Sequence, residues 1–247
     1  LTNLAVLLQG INRLSEAEVL MRRALAADQR FYGPDHHDVA TDLNNLAMFL
    51  GRMNRLSEAE PLYRSALAIW DRINVENHPN VASALYNLAG LLRDTNRLTE
   101  AEPLMRRSLA IDEHFYGPDH AEVARDLNNL AQLLQALNRP AEAVPLMRRA
   151  LVIDEQFHGV EHPDVARDLN TLATLYFYTN HLTEAESLSH RSLCIYLGFT
   201  RRNGQQHPDL RTVIDNYASL LFAKNYSDTE VRQRLNDLLG QYGMSLG

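Results

Sequence analysis

Apolar residues return at helical spacing in short segments that recur every 42 residues along the chain. Between Asp38 and Trp70, Val39, Leu43, Leu46, Ala47 and Leu50 share one side of a helix. Gly51 to Arg55 then breaks the pattern, and a second amphipathic segment follows. The corresponding first segments read LTNLA at 1, LNNLA at 43, LYNLA at 85, LNNLA at 127, LNTLA at 169 and, three residues late, IDNYA at 214. Three extra residues in the turn FTRRNGQQHPDL account for the delay. Each period therefore predicts two antiparallel helices, each with one face to bury.

The helix ends carry signals of their own. Ser57 with Glu60 reads as a capping box at the start of a second helix, repeated as Ser15/Glu18, Thr99/Glu102 and Thr183/Glu186. Ala141 and Val144 lack the box, so the second helix of the fourth repeat is expected to fray more readily. Pro61, Pro103 and Pro145 fall in first turns, where little hydrogen bonding is lost, and Pro79, Pro163 and Pro208 mark the starts of first helices. Residues 228–242 predict a C-terminal capping helix with Val231, Leu235, Leu238 and Leu239 on one face.

Helix pairs of this period suit HEAT, armadillo or tetratricopeptide repeats, and the small residues discriminate among them. Ala47, Ala59 and Ala66 return as Ala89, Ala101 and Ser108, then as Ala131, Ala143 and Ala150, marking three places of close backbone approach. This pattern resembles tetratricopeptide repeats. HPDVARDLNTLA at 162, NRLxEAEPLMRR at 96 and the FYGPDH turns are similar to the repeats of kinesin light chains and their prokaryotic relatives. The resemblance implies an all-α fold, a right-handed superhelical α-α solenoid. It would run through residues 1–247 as a single domain of about six helix pairs, the first truncated at its N-terminus.

At 100° per residue, Thr41, Asn45, Met48 and Arg52 lie opposite the apolar stripe of their helix. First helices line the concave surface of stacked pairs, so this side is expected to face a groove. The equivalents of Asn45 are Asn3, Asn87, Asn129 and Asn216, with Thr171 as the exception. An amide offers two donors and one acceptor, enough to grip the backbone of an extended peptide. The alternative is that these amides bond neighbouring helices and set the repeat spacing. The resemblance implies ligand-backbone contact at Asn45, Asn87 and Asn129. The first asparagines of the motif, Asn44, Asn128 and Asn170, are expected on the flank in a solvated role. Arg125 and Arg167 precede the amide position by one turn, Arg52 and Arg93 lie near helix ends, and carboxylates on this face are few, chiefly Asp94 and Asp215. A positive groove follows, suited to an acidic peptide, and kinesin light chains by resemblance bind cargo peptides with acidic residues. Phe177 and Tyr178 supply an aromatic wall or, alternatively, a helix end packed on the 199–209 turn.

Composition narrows the function. The net charge of -7 argues against nucleic acid as the main partner. A basic strip of Arg22, Arg23, Arg106, Arg107, Arg148 and Arg149 runs beside Glu18, Glu60 and Glu102, which makes a solvated outer face the expected role. No apolar run approaches bilayer-spanning length, and the single Cys194 fits a reducing compartment as a buried, inert thiol. His78, His120, His162 and His207, with His36 and His37, precede first helices at one register. Equivalent histidines one helix pair apart cannot share an ion, so each is expected to order its own turn. No phosphate loop, HExxH or nucleophile elbow is present. The expectation is therefore a cytoplasmic protein-binding scaffold or adaptor, with no catalysis, cofactor, metal, nucleic acid or membrane partner and an open oligomeric state. A regulatory or sensor portion of a larger enzyme or nucleotide-driven signalling protein, and a self-associating module, remain the alternatives. Leu1 already falls inside a helix of the first repeat, so the chain reads as a fragment and absent targeting signals carry no weight.

Overall fold

The computed structural model describes Gly10 and residues 13–73, 75 and 77–245, so Asn3 lies outside the described residues. Among the described residues there are eleven helices and no strand. They are α1 (Leu14–Tyr32), α2 (His37–Arg52), α3 (Leu56–Arg72), α4 (Pro79–Asp94), α5 (Leu98–Tyr116), α6 (Ala121–Ala136), α7 (Pro140–His158), α8 (Pro163–Tyr178), α9 (Leu182–Asn203), α10 (Leu210–Ala223) and α11 (Asp228–Gly240). The even-numbered helices lead each repeat and the odd-numbered ones trail. Two compact units divide the chain, Leu1–Pro118 and Asp119–Gly247. Within the first, α1 to α5 pack each on the next, and α2 also touches α4. Within the second, α6 to α11 do the same, with the leading helices α6 and α8, and α8 and α10, in contact.

The alanine positions are where helices meet. Ala47, Ala59, Ala66, Ala89, Ala101, Ala131, Ala143 and Ala150 are all fully buried. Where serine replaces alanine, its hydroxyl is satisfied by the facing backbone: Ser108 Oγ donates to the Ala82 carbonyl at 3.0 Å, and Ser192 Oγ to the Ala166 carbonyl at 2.6 Å. Trailing and leading helices thus come near enough for a two-atom side chain to bridge them.

The capping boxes expected at Ser57 and its equivalents do not form. The trailing helices begin one residue earlier, at Leu14, Leu56, Leu98, Pro140 and Leu182, and their N-cap residues make no side-chain cap bond. What replaces the box is a fork of arginine onto glutamate. Arg55 donates to both carboxylate oxygens of Glu58 at 2.6 Å and, through Nη1, to Glu18 on the previous trailing helix at 2.6 Å. Arg97 grips Glu100 and Glu60 in the same way. The Arg55 hydrogen bond, opposed by a smaller effect of burial, holds the Glu18 carboxyl below its usual range. The fraying expected of the fourth repeat loses its basis, because Arg139 forks onto Glu142 at 2.6 and 2.7 Å and Pro140 occupies the first helical position. Pro208 is also displaced from its expected place, since α10 begins two residues later at Leu210. The one capping box among the described helices is Ser227 with Glu230, at the start of α11.

Leading helices end in left-handed asparagines. Asn54, Asn96, Asn138, Asn180 and Asn225 have φ between 58° and 65°. In each case the next residue's N–H returns to a carbonyl five residues back, as from Arg55 to Leu50 at 2.9 Å and Arg139 to Leu134 at 2.8 Å. This is the Schellman closure, with asparagine where glycine is commonest, because its short amide tolerates the left-handed region better than most side chains. Gly33, Gly117 and Gly159 end trailing helices at φ 85° to 90° with ψ near 160°, a region open essentially to glycine alone.

Candidate functional site

The face of the leading helices opposite their packed stripe carries the residues singled out for binding. In the first unit, Asn45 and Asn87 are half-buried, and neither side-chain amide has a hydrogen-bond partner among the described residues. Among the described residues, exposed Arg52 forms no ion pair and Arg93 reaches only its neighbour Asp94, at 3.6 Å. In the second unit, Asn129 donates to the Arg125 carbonyl at 2.7 Å and Thr171 to the Arg167 carbonyl at 3.0 Å, each within its own helix. Asn216 donates to Asn170 Oδ1 at 3.2 Å, bridging α10 to α8. The five amide positions are therefore not equivalent.

The first asparagines of the motif are not solvated flank residues. Asn44 is 7% and Asn128 5% exposed. Asn128 donates to Asp168 Oδ1 on the next leading helix at 2.6 Å and accepts from Gln132, while Asn170 accepts from Asn216. The spacing role considered for the second amides falls at α6 and α8 to the first amide, Asn128, and at α8 and α10 to Asn170 together with the second amide Asn216. A single helical wheel hides this, because a leading helix is covered by its hairpin partner and by the neighbouring leading helix, which widens the buried arc.

The charge pattern also departs from expectation. Arg125 lies 3.1 Å from Asp126 and also pairs with Glu122, and Arg167 meets Asp164 at 2.8 Å, Asp168 at 3.4 Å and Asp154 at 3.7 Å. Arg125 is neutralised locally by Glu122 and Asp126, and Arg167 by Asp164 and Asp154, carboxylates that were not assigned to this face. Burial, then the hydrogen bond and charge of Asp154, push the Asp168 carboxyl up to about 8 despite Arg167. Burial, then the charge of Asp28, similarly raises Asp42 to about 6. Of the four arginines singled out for binding, the two in the first unit, Arg52 and Arg93, have absent or weak partners among the described residues.

Tyr178 is 62% exposed, and with Phe177 it walls a cavity of about 210 Å³ between α8, α9 and α10. Ser189, Asn170 and Asn216 also line this cavity, and sequence reasoning missed it because α9 and α10 contribute to it from different repeats.

The histidines order their turns. Nδ1 of His36, His78, His120 and His162 accepts the N–H two residues on at 3.1 to 3.2 Å, capping α2, α4, α6 and α8. His158, His162 and Asp164 place potential ligand atoms within 4.8 Å of one another. However, His158 stacks on His162 at 4.6 Å as Tyr32 does on His36 at 4.3 Å, so a tyrosine serves the same position elsewhere and the stack explains the cluster. Cys194 is half-buried, and burial raises its thiol pKa, which suits an inert thiol.

The sequence profile described as tetratricopeptide repeat matches residues 1–72, 43–114, 80–156 and 127–197. The chain belongs to the tetratricopeptide repeat family. Among solved structures, this tetratricopeptide chain is similar to a Podosopora anserina protein with nearly identical TPR-like repeats, named after kinesin light chain. The two share 22% identity with TM-score 0.70, over 81% of this chain and 95% of that one. It is also similar to BtubC (BKLC) from P. vanneervenii, at 22% identity and TM-score 0.71, over 93% of this chain and 90% of that one. YrrB, described as a TPR protein with an unusual peptide-binding site, aligns at 17% identity and TM-score 0.58, over 88% of this chain and 91% of that one. Comparison with curated proteins gave no match. These identities establish the fold of the tetratricopeptide chain, an architecture that serves as a protein–protein interaction scaffold. Among the described residues no helix is long and apolar enough to cross a membrane.

Proposed function

We propose that the chain is a cytoplasmic scaffold, without catalysis of its own, that holds an extended peptide segment of another protein against the faces of its leading helices. The observation that carries this reading is the pair of unpartnered, half-exposed amides of Asn45 and Asn87. Each retains two donors and an acceptor for a peptide backbone, whereas the neighbouring Asn44 sits buried in the packing. Asn129 keeps its acceptor and one N–H beyond its own helix bond. YrrB's description as a peptide-binding TPR protein supports the architecture's use for this purpose.

A preference for acidic peptide belongs to the first unit, where Arg52 has no ion pair and Arg93 only a long one. Arg125 and Arg167 contribute less, since their charges are balanced by Glu122 and Asp126 and by Asp164. Tyr178 adds an exposed ring against which a peptide side chain can stack.

Screening an extended-peptide library with the purified chain tests this reading. Asn45→Ala combined with Asn87→Ala is expected to weaken the selected peptides by roughly tenfold, from two or more lost bonds of about 1 kcal/mol each, with little change in melting temperature. Binding of acidic members should fall steadily with added salt. Retained affinity alongside a marked loss of stability would make those amides structural, and salt-independent binding would remove the acidic preference.

A further inference from the structure

Resting on the reading that this face binds peptides, we propose that the cavity between α8, α9 and α10 is a subsite for a side-chain carboxamide, that of a glutamine or asparagine in the bound segment. Ser189, 2% exposed, lines the cavity, and its hydroxyl has no hydrogen-bond partner. Buried hydroxyls are ordinarily paired, so an unpaired one on a residue that lines a cavity marks the place of an absent partner. Beside it, Asn216 donates once to Asn170 Oδ1, which leaves the N–H pair of Asn170 and the Oδ1 of Asn216 unused. The cavity thus presents donors and acceptors together, within a volume of about 210 Å³.

No Asp, Glu, Lys, Arg or His lines it, and this selects among occupants. A carboxylate entering would be desolvated with no cation to meet and would face the free Asn216 oxygen. An ammonium or guanidinium would find no carboxylate. A phenol brings one hydroxyl and leaves part of the set unpaired. A carboxamide matches it: its oxygen accepts from Asn170 and Ser189, and its NH2 donates to Asn216 Oδ1. Phe177 and Tyr178 supply the apolar wall for its methylenes. The subsite is neutral although the wider face is charged, so it would read a residue type that electrostatic attraction cannot discriminate.

The test titrates N-acetyl-glutamine methylamide, N-acetyl-tyrosine methylamide and N-acetyl-glutamate methylamide separately into the isotope-labelled full chain, following the side-chain amide signals of Asn170 and Asn216 by NMR. The glutamine probe is expected to shift both signals saturably at about millimolar affinity, tighter than the other two by about fivefold or more. Ser189→Ala should weaken it by about fivefold, the factor one neutral hydrogen bond carries, while the melting temperature holds or rises because an unpaired polar group is removed. Equal or tighter binding of the tyrosine or glutamate probe, no saturable binding of any probe, or an unchanged affinity in Ser189→Ala would overturn the proposal. If the subsite fails while the Asn45/Asn87 double substitution still weakens peptide capture, the scaffold reading stands and only the carboxamide assignment falls.

Discussion

At Asp168, burial outweighs the guanidinium beside it. The side chain is fully buried on α8, accepts from Asn128 and faces Asp154, so its carboxyl binds a proton up to about pH 8. An unfolded aspartate releases that proton near pH 3.9. The folded pKa is therefore raised, and the stability linked to this proton is complete below about pH 4 and is lost as pH climbs through about 8. Asparagine in its place mimics the protonated acid permanently. Asp168→Asn is expected to gain stability relative to the parent chain as pH rises from 5 to 8, by up to about 1.4 kcal/mol per pH unit, read from urea melts at pH 5 and pH 9. An offset that does not change with pH would mean that Asp168 is ionised in the folded protein. Residues of this kind were the least legible in the sequence. Asp42, Asp126 and Asp168 share one register of the 42-residue period, interrupted by Ala84, but their burial, partial at Asp42 and nearly complete at Asp126 and Asp168, depends on the preceding trailing helix, which a single-helix wheel does not contain. The amides of Asn44 and Asn128 were misplaced for the same reason.

Among the elements, helix positions were legible from periodicity, whereas the manner of their starting was not. Ser-x-x-Glu at 57 to 60 looks like a cap in one dimension, but the left-handed Asn54 brings the chain into helix at Leu56 and leaves Ser57 one residue inside it. The signal that decides the start is the dipeptide Asn54-Arg55 followed by Glu58, in which the amide takes the left-handed turn and the guanidinium forks onto the glutamate. Two serine substitutions separate the cases. Ser57→Ala should change stability by less than about 0.5 kcal/mol, while Ser227→Ala, which removes the box at α11, should cost about 1 kcal/mol. Thermal melts of both variants give the comparison, and a larger loss for Ser57→Ala would restore the cap that the geometry denies.

For the molecule as a whole, the repeat period, the all-helical architecture and the alanine contacts were readable because identical demands return five times, so chance matches are filtered out. The distribution of charge was not readable, since pairing partners come from neighbouring repeats, as with Arg55 and Glu18 or Arg97 and Glu60. Stacked repeats draw their stability from neighbours, so protection should follow neighbour number. Helix α11 buries Val231, Leu235, Leu238 and Leu239 chiefly against α10, while α8 is packed by α6, α7, α9 and α10. Hydrogen exchange is expected to be faster by about tenfold or more in α11 than in α8, and equal protection would point to one cooperative block in the second unit. The hydrogen bond from Asn128 to Asp168 has a practical consequence for anyone extending or retargeting such an array. Asn128 and Asp168 must be transplanted together as a fixed couple, while Asn129, whose amide bonds only within its own helix, is the free variable with which new specificities can be written.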